Sequence, residues 1–537
     1  MRPATTATRS SSIRWIWLAL LAFLLAVRLP SLVEPAGGDQ GLYLYSGQRV
    51  LAGGTMYKDA WDQKPPGIAS LYAVLWRIWP HESVVPGADL LAAAAVAALL
   101  VLLGRRRFSE SIGLGAAALF LLLGDPSLQR NSGVYVRGQC EPFIGLAVVA
   151  ALALLAAADR RPWHAVAAGM CLAASFWIKY NAITYGLAAA LALWAWAPDA
   201  RRSVRALAAD FAWVGLGFGS VLVAVCAYFA WRGALVDLYL ATITYNLRYS
   251  GEMYSSVAGL LAYPVAMPLK RAQVDLLWYL GGIGSLLLIR DVRSTRSAVV
   301  VFGWLVAAIL SIQINGRDLP NYFVQANAPL ALAAVAGLAT LAWRGAVVRA
   351  AVAILLVAGL WRVGTEPARR VRLGGLPGLA ENVGFDLDRI RGKLDRAAYL
   401  GRFKGQKFDA LEIDDLARDF RALPSSDPVY VFGFAGGSIC WKSERVSASR
   451  FFWSRPVIIE FEAGRPGYGS AGLLADLQRR PPSVVVLQKE EWRSQAFFLG
   501  NRPLRAWLEA GYVPDRESAM FAVWRRRPSA NRIGGEL

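Results

Sequence analysis

The sequence predicts an all-α, multi-spanning membrane protein that carries a soluble α/β domain at its C-terminal end. Of the 537 residues, 56% are hydrophobic and 18% are charged, whereas soluble domains are about 45–50% apolar and about a quarter charged. The mean hydropathy is +0.38. Apolar segments recur through residues 1–364, and the remaining sequence is richer in charge, glycine and proline. We therefore predict a membrane domain over residues 1–364 and a soluble domain over 365–537.

The membrane domain contains about eleven predicted spans, because a helix needs about 20 apolar residues to cross a bilayer. These segments are 13–33, 87–104, 111–124, 142–158, 163–177, 182–197, 208–231, 276–289, 298–314, 326–343 and 347–363. The first resembles a signal peptide, since arginines precede its apolar run. However, Leu29-Pro30 and Glu34 stand where a cleavage site needs small residues. We interpret it as an uncleaved first helix.

Arginine clusters between the spans predict the orientation. If the short apolar segment 67–79 does not cross the membrane, all five clusters lie in the cytoplasm with the N-terminus, as basic loops do. The clusters are Arg105-Arg106-Arg107, Arg160-Arg161, Arg201-Arg202-Arg205, Arg290-Arg293-Arg296 and Arg344-Arg349. We therefore predict that 67–79 is a helix along the outer interface, started by Pro65-Pro66. The same parity places the loops 34–86, 125–141 and 233–275, and the soluble domain, outside the cytoplasm.

The formal net charge of +20 comes largely from these clusters. Because they do not form one basic face, the charge indicates contact with an anionic membrane surface, and we predict no nucleic-acid partner. With only His81 and His164, the chain lacks an imidazole-rich metal site. Cys140 and Cys440 fall on the same predicted side, so they are either bridged or, as we favour, free thiols.

The soluble domain combines strand-like runs at 429–434, 483–488 and 519–525 with helical patterns at 473–477 and 503–510. This alternation predicts an α/β fold. The segment GFAGGS at 433–438 is similar to a nucleotide-binding turn. We interpret it as a loop, because the predicted compartment has no nucleotide cofactors.

The first outer loop, 34–86, concentrates carboxylates, a lysine and aromatic rings between two membrane-bound segments. From Gly37 onward it reads GGDQGLYLYSGQRVLAGGTMYKDAWDQKPPG, with Asp39, Asp62 and Lys64 among its charged residues. A hydrophilic loop that the bilayer holds at both ends is suited to a charged substrate linked to a lipid.

The order of motifs resembles the polyprenyl-phosphate-dependent glycosyltransferases of the GT-C fold. The resemblance is carried by Arg28-Leu29-Pro30, an acidic residue soon after, and D-x-K-P-P-G in the loop. It continues at Arg137-x-x-x-Glu141, at FWIKYNA (176–182) and at RDLPNYFVQANAP (317–329). Within this fold the chain looks closest to protein O-mannosyltransferases, the lipid A aminoarabinose transferase and the RgtA/B/C/D type.

The resemblance implies residue roles. Asp39 matches the acid that serves as catalytic base, and Lys64 matches the basic residue near the lipid phosphate. Glu141 stands where the family more often has aspartate. Gln40 follows Asp39 where many relatives have a second acid. A divalent metal is therefore possible but not supported, and we expect no cofactor.

The implied reaction moves a sugar from a polyprenyl-phosphate donor to an extracytoplasmic glycan, lipid or protein, by inverting single displacement. Its good leaving group requires no strong general acid, only a base and cations that hold the phosphate. Lys64, Lys179 and Arg317 are the candidate cations on the outer face. A glycosidase would instead need two carboxylates flanking one bond.

Each candidate also has a structural interpretation. Asp39 is suited to capping the helix that begins near Gly41, and Lys64 to snorkelling at the interface. Lys179 lies at a helix end, where it either contacts the donor or anchors the helix at the membrane interface. Arg317 and Tyr322 lie beside the start of a helix, where interfacial residues are common. The remaining candidates are Arg137 and Glu141, which we expect as a structural ion pair if not functional, and Asp62, which we expect to be solvated or structural.

Two other function classes remain open. A transporter or flippase of lipid-linked saccharides would place charges at the midplane, often in broken helices, whereas here they gather in outer loops and at helix ends. A non-catalytic accessory protein of the cell envelope would not need the acid and lysine of the first loop. We therefore expect an enzyme of the bacterial inner membrane with its site on the periplasmic side.

Overall fold

The computed structural model describes residues 5–129, 133–197, 203–251, 254, 256–289, 296–317, 319–365, 375–405 and 407–528. The arginines at 201, 202, 290 and 293, and Asp318 of the RDLPNYF motif, lie outside the described residues.

The chain folds into two compact units, each assembled from three stretches of sequence. The first, which we call the helical unit, comprises Met1–Glu34, Ser83–Tyr228 and Leu247–Lys393. The second, the mixed unit, comprises Pro35–Glu82, Phe229–Asn246 and Leu394–Leu537. Residues of the first outer loop thus belong to the same unit as the C-terminal part of the chain.

The helical unit is built from helices of 14 to 28 residues and a few shorter ones. Its longer helices are α1 (Thr5–Arg28), α4 (Val84–Arg107), α5 (Glu110–Leu123), α6 (Cys140–Leu155), α7 (Pro162–Ile178), α9 (Val204–Trp231), α12 (Val257–Ala272), α13 (Leu276–Ile289), α14 (Arg296–Asn315), α16 (Ala346–Thr365) and α17 (Gly375–Ile390). The shorter ones are α8 (Gly186–Ala195), α11 (Tyr245–Gly251) and α15 (Asn327–Ala339). Both α11 and α9 cross the boundary between the two units in sequence.

Five helical segments of the described chain are long and apolar enough to cross a membrane. They are Arg14–Val33, Val84–Arg107, Val204–Trp231, Arg296–Ile314 and Pro320–Trp343. A sixth candidate is the pair α12 and α13, which is bent by 119°. Shorter apolar helices at Glu110–Leu123, Cys140–Leu155, Pro162–Ile178 and Ala346–Trp361 coincide with further predicted spans. The chain is a multi-pass membrane protein, with several segments shorter than the 20 residues of a straight crossing.

The predicted outer loop 233–275 contains more regular structure than its sequence suggested. It includes α10 (Leu235–Tyr239), a π-helical turn (Leu240–Thr244), α11 and α12. Pro264 and Pro268 lie inside α12. Because interior prolines usually disrupt helices, this stretch gave a weak helical signal.

The mixed unit has a four-stranded sheet flanked by helices. Its strands β3 (Val429–Phe432) and β4 (Val484–Gln488) are parallel, and β4 pairs antiparallel with β6 (Phe521–Arg526), which pairs antiparallel with β5 (Tyr512–Glu517). The strand order is β3-β4-β6-β5. The short strands β1 (Lys404–Gly405) and β2 (Phe408–Asp409) form a separate hairpin. Strands β3, β4 and β6 coincide with the three predicted runs, whereas β1, β2 and β5 were not predicted.

The helices of the mixed unit come from the first outer loop, from α10 and from the C-terminal part of the chain. They are α2 (Gly38–Leu51), α3 (Gly67–Ile78), α18 (Arg396–Leu400), α19 (Ala410–Arg421), α20 (Gly436–Ser443), α21 (Arg455–Ile458), α22 (Gly469–Arg479), α23 (Ser494–Gly500) and α24 (Arg502–Gly511). The structure confirms the predicted fold class of a polytopic helical membrane protein with a C-terminal α/β region.

Trp61 joins the first loop to the C-terminal residues of the mixed unit. Its side chain is fully buried. Its backbone N–H donates to the carbonyl oxygen of Arg450 at 2.9 Å, and its own carbonyl accepts from Nε1 of Trp453 at 3.0 Å. The indole packs, at centroid distances of 5.0 to 6.1 Å, on Tyr245, Phe451, Phe461 and Trp453. Since aromatic burial dominates such contacts, this cluster fixes the loop just before Asp62 and Lys64.

Candidate functional site

Asp39 and Lys64, which the family resemblance singled out in the first outer loop, form an ion pair in the mixed unit. Oδ1 of Asp39 lies 3.5 Å from Nζ of Lys64. The Asp39 side chain is 37% exposed and that of Lys64 is 14% exposed. The pair is therefore reachable by a substrate, yet partly withdrawn from water, which strengthens its electrostatic interactions.

Asp39 does not cap its helix. The N-cap of α2 is Gly37, and Asp39 lies inside the first helical turn. A carboxylate in this turn is favoured by the positive end of the helix dipole. The capping interpretation of Asp39 is thus wrong, because the helix begins three residues earlier than its sequence suggested.

Helix α2 is held against α20 by close contact at two glycines. A methyl group on Gly38 would lie 2.2 Å from the Phe434 ring, and one on Gly41 would lie 2.0 Å from Oγ of Ser438. Neither position tolerates a side chain without movement of its neighbour. The segment GFAGGS, interpreted from sequence as a loop, therefore also starts α20 and positions the helix that carries Asp39.

Lys64 is positioned by two tyrosines of the same loop. Its ammonium lies 5.0 Å from the centre of the Tyr43 ring, a favourable cation–π arrangement. The Tyr57 hydroxyl donates to the Lys64 carbonyl oxygen at 2.9 Å. Tyr57 has a φ of 72°, which is uncommon for a bulky residue and is a strained conformation of the kind found at functional sites.

Asp62 lies beside this pair and is 1% exposed. The backbone N–H groups of Gln63 and Lys64 act weakly on its carboxylate, but neither oxygen accepts a hydrogen bond of good geometry from the described residues. Burial raises the pKa of Asp62, and the charge of Asp39 adds to this shift, while the charge of Lys64 opposes it. The expectation that Asp62 is solvated is therefore wrong, since the residue is buried.

In the helical unit, Glu141 forms a buried ion pair with Lys179. Nζ of Lys179 lies 2.5 Å from Oε1 of Glu141, and Nδ2 of Asn321 donates to Oε2 at 3.2 Å. The Lys179 ammonium also lies 3.9 Å from the centre of the Tyr322 ring. Three sequence candidates therefore meet at one place, where the α6 start, the α7 end and the 3₁₀ turn Pro320–Ala326 come together.

Arg137 pairs with Glu34 and not with Glu141, so the expected Arg137–Glu141 ion pair is wrong. Its Nε lies 2.7 Å from Glu34, and its guanidinium is 3.7 Å from Asp125 and 3.8 Å from Asp89. Burial alone would lower the pKa of Arg137, but these three carboxylates raise it above the ordinary arginine value.

Sequence reasoning missed the carboxylates of this cluster. Glu34 was noted only as an obstacle to signal cleavage, and Asp89 and Asp125 were not singled out. All three are no more than 4% exposed. The sequence did contain a signal for Glu34 and Asp125, since each follows the end of an apolar helix. An acidic residue that is buried at such a place needs a basic partner.

Arg317 is half-buried and follows the end of α14. It is the candidate for which the structure adds least. The described residues contain no group of three His, Cys, Asp or Glu side chains arranged to hold a metal ion. The four cysteines are free thiols.

Comparison with solved structures identifies the fold. The chain is similar to ArnT from Cupriavidus metallidurans bound to undecaprenyl phosphate, with a TM-score of 0.55 and 15% sequence identity. This match covers 96% of the present chain and 98% of the ArnT chain. The archaeal oligosaccharyltransferase AglB from Archaeoglobus fulgidus, in complex with an inhibitory peptide and a dolichol-phosphate, matches 96% of this chain over 75% of its own, with a TM-score of 0.50 and 13% identity. No family model and no curated protein sequence matches. The chain therefore has the GT-C fold of polyprenyl-phosphate-dependent glycosyltransferases, as its motifs predicted.

Proposed function

We propose that this protein is a membrane glycosyltransferase, which moves a sugar from a polyprenyl-phosphate donor to an acceptor outside the cytoplasm. The observation that carries the proposal is the pairing of Asp39 with Lys64 at 3.5 Å on a partly exposed surface. The GT-C fold supports it, as do the solved relatives with bound dolichol-phosphate and undecaprenyl phosphate.

The chemistry needs one base and at least one cation. An acceptor hydroxyl attacks the anomeric carbon of the donor sugar, the bond from that carbon to the phosphate oxygen breaks, and polyprenyl phosphate leaves. Asp39 takes the hydroxyl proton, and Lys64 stabilises the negative charge that grows on the phosphate. Attack opposite the leaving group inverts the anomeric centre.

The ion pair itself provides a switch between resting and reactive states. Without donor, the Lys64 ammonium pairs with the Asp39 carboxylate. A bound phosphate competes for the Lys64 ammonium through stronger charge-assisted hydrogen bonds. Donor binding then releases the Asp39 carboxylate for the acceptor hydroxyl.

Lys179, Arg317 and Tyr322 remain proposed donor contacts. For Lys179 the role requires that the donor phosphate share the ammonium with Glu141, because that ion pair is already short. We place the reaction on the periplasmic side of a bacterial inner membrane, following the arginine clusters.

The test compares Asp39→Asn with Lys64→Ala, and uses Lys58→Ala as the matched control, an exposed lysine of the same loop. Transfer is measured by mass spectrometry of envelope glycans in a deletion strain that carries each variant. Donor-site binding is measured on the purified full chain with undecaprenyl phosphate as the probe.

We expect Asp39→Asn to lower transfer about 100-fold or more, the usual effect of losing a general base, and to leave probe binding intact. Lys64→Ala should weaken probe binding, and Lys58→Ala should change neither. If Asp39→Asn transfers at the wild-type rate, Asp39 is not the base, and Glu141 and Asp62 become the candidates.

A further inference from the structure

The loops that follow β3 and β4 meet at one edge of the sheet in the mixed unit. These strands are parallel, with Phe432 opposite Leu487 near their ends, so their carboxyl ends lie side by side. In open α/β sheets, ligands bind in the crevice at this edge. The loop after β3 carries Phe434 and the loop after β4 carries Trp492.

Two aromatic rings and two cations gather at this edge. The rings of Phe434 and Trp492 lie 5.7 Å apart and nearly perpendicular. Nζ of Lys407 is 5.3 Å from the centre of the Trp492 ring, and the guanidinium carbon of Arg455 is 5.4 Å from it. We call these four residues the edge cluster. Two positively charged side chains thus contact the same aromatic ring.

The backbone at Trp492 is held in an unusual conformation. Trp492 has a φ of 48° and Arg493 a φ of 53°, a region that residues with a Cβ rarely occupy. Such conformations persist where the surroundings enforce them, and they concentrate at ligand sites.

Gln488 is the side chain that holds the two loops in place. It is fully buried at the end of β4. Its Oε1 accepts from the backbone N–H of Ala435 at 3.0 Å, and its Nε2 donates to the carbonyl oxygen of Lys407 at 3.1 Å. One buried amide therefore sets the positions of the loops that carry Phe434 and Lys407.

The edge cluster adjoins the helix that carries Asp39. The Phe434 ring lies directly against Gly38, where a methyl group would come within 2.2 Å. Gly38 immediately precedes Asp39 in the first turn of α2. A molecule resting on the edge cluster is therefore next to the proposed base.

We propose that the edge cluster is the acceptor-binding surface, and that the acceptor is an anionic saccharide. This inference rests on the proposed function. The rings of Phe434 and Trp492 pack on the apolar faces of a sugar, while Lys407 and Arg455 pair with its phosphate or carboxylate. Glu490, which is exposed on the same loop, disfavours acceptors in which the anion lies on that side.

The experiment measures saccharide binding to the purified full chain by titration calorimetry. The probes are trigalacturonate, which carries carboxylates, mannose 6-phosphate, which carries a phosphate, and neutral maltotriose. The test variant is Lys407→Gln with Arg455→Gln. The control variant is Arg418→Gln with Arg525→Gln, which removes the same charge from two exposed residues that pair with neighbouring aspartates.

We expect at least one anionic probe to bind the wild-type chain more tightly than maltotriose does. The test variant should weaken that binding about tenfold or more, as expected for losing charge-assisted contacts, and the control variant should not. Which anionic probe responds tells a phosphate-bearing acceptor from a carboxylate-bearing one. Equal binding of neutral and anionic probes, or equal binding by test and control variants, would overturn the proposal.

Two readouts keep this proposal separate from the proposed function. The test variant should bind undecaprenyl phosphate like the wild type, because neither Lys407 nor Arg455 is among the proposed donor contacts. If it does, and anionic saccharides still bind it unchanged, the edge cluster is excluded while the donor site stands. Lys407→Gln alone changes an exposed side chain, so its effect on probe binding decides the matter if the double variant fails to fold.

Discussion

Asp62 reduces the stability of the folded chain at neutral pH, because its carboxyl group is wholly buried. Burial raises its pKa, with the charge of Asp39 adding and that of Lys64 opposing. Between the ordinary aspartate pKa of about 3.9 and the raised pKa of the folded state, the unfolded chain has released this proton while the folded chain holds it. Stability therefore falls as the pH rises through this window. Below about pH 3.9 both states are protonated, and the effect disappears.

We accordingly expect Asp62→Asn to raise the midpoint of thermal unfolding at pH 7, and to do so by a shrinking amount as the pH approaches 4. The measurement is a series of melting curves on detergent-solubilised protein between pH 4 and 7. Asp59→Asn controls for removal of one acid from the same loop, since Asp59 is exposed and accepts a hydrogen bond from the Thr55 backbone. A gain of equal size at every pH would show that ionisation of Asp62 is not responsible.

Contacts between residues were predictable where a motif indicated them and unpredictable where the partners were distant in sequence. D-x-K-P-P-G and the acid before it led to Asp39 and Lys64, which the fold pairs. Arg137 was matched to Glu141 by nearness along the chain, yet its partner Glu34 lies 103 residues away. The spacing of residues along one segment does not predict a contact that forms only when several helices pack together.

At the scale of single elements, the loop after β4 stores conformational strain. A left-handed backbone costs a residue with a Cβ about 1–2 kcal/mol, and both Trp492 and Arg493 adopt it. Arg493→Gly removes this strain, and Arg493→Ala keeps it while deleting the same guanidinium. Glycine also lowers the free energy of unfolding by about 0.5–1 kcal/mol, because it gives the unfolded chain greater conformational freedom.

We therefore expect the Arg493→Gly variant to be more stable than Arg493→Ala by about 0.5–1 kcal/mol. Chemical or thermal unfolding of the two purified variants measures the difference. Alanine at least as stable as glycine would mean that position 493 relaxes to a right-handed conformation, and that the loop is not strained in solution.

Strands were the easiest elements to predict, and the broken helices the hardest. VYVF and VVVLQ became β3 and β4 because short runs of β-branched and aromatic residues suit a buried parallel pair. Helix α2 began earlier than expected, since two glycines at its start gave no helical signal although they allow close packing on α20. Helix α12 was hidden by its two internal prolines.

At the scale of the whole molecule, the arginine clusters predict which side of the membrane each end of the chain occupies. Single cysteines at Arg105 and at Glu490, both exposed, test this in a background where the four native cysteines are serine. In intact cells, an impermeant maleimide should label Glu490→Cys, and should label Arg105→Cys only after the membrane is permeabilised. Labelling of both from the same side would overturn the predicted topology and the periplasmic location of the site.

The fold class and the family resemblance were both accessible from sequence, because they rest on composition and on the order of motifs and not on overall identity, which is 15% to ArnT. The grouping of the chain into units was not. Composition suggested one division near residue 364, whereas each compact unit draws on three separate stretches. Contacts such as those of Trp61 with Phe451 and Trp453 connect residues almost 400 positions apart, and no local pattern encodes them.

Because the mixed unit is assembled from three separate stretches of sequence, its parts are synthesised at different times during translation. Asp39 and Lys64 leave the ribosome early, but Phe434, which contacts Gly38, and Phe451 and Trp453, which pack on Trp61, are translated only after Leu394. At about 5–20 residues per second, the interval from residue 35 to residue 394 lasts roughly 20–70 s. During that time the loop lacks the aromatic partners of Trp61 that lie in the C-terminal part of the chain. We therefore expect a partly synthesised chain to carry Asp39 and Lys64 before their loop gains its C-terminal packing partners, and we expect the proposed sugar transfer to begin only after those residues are translated.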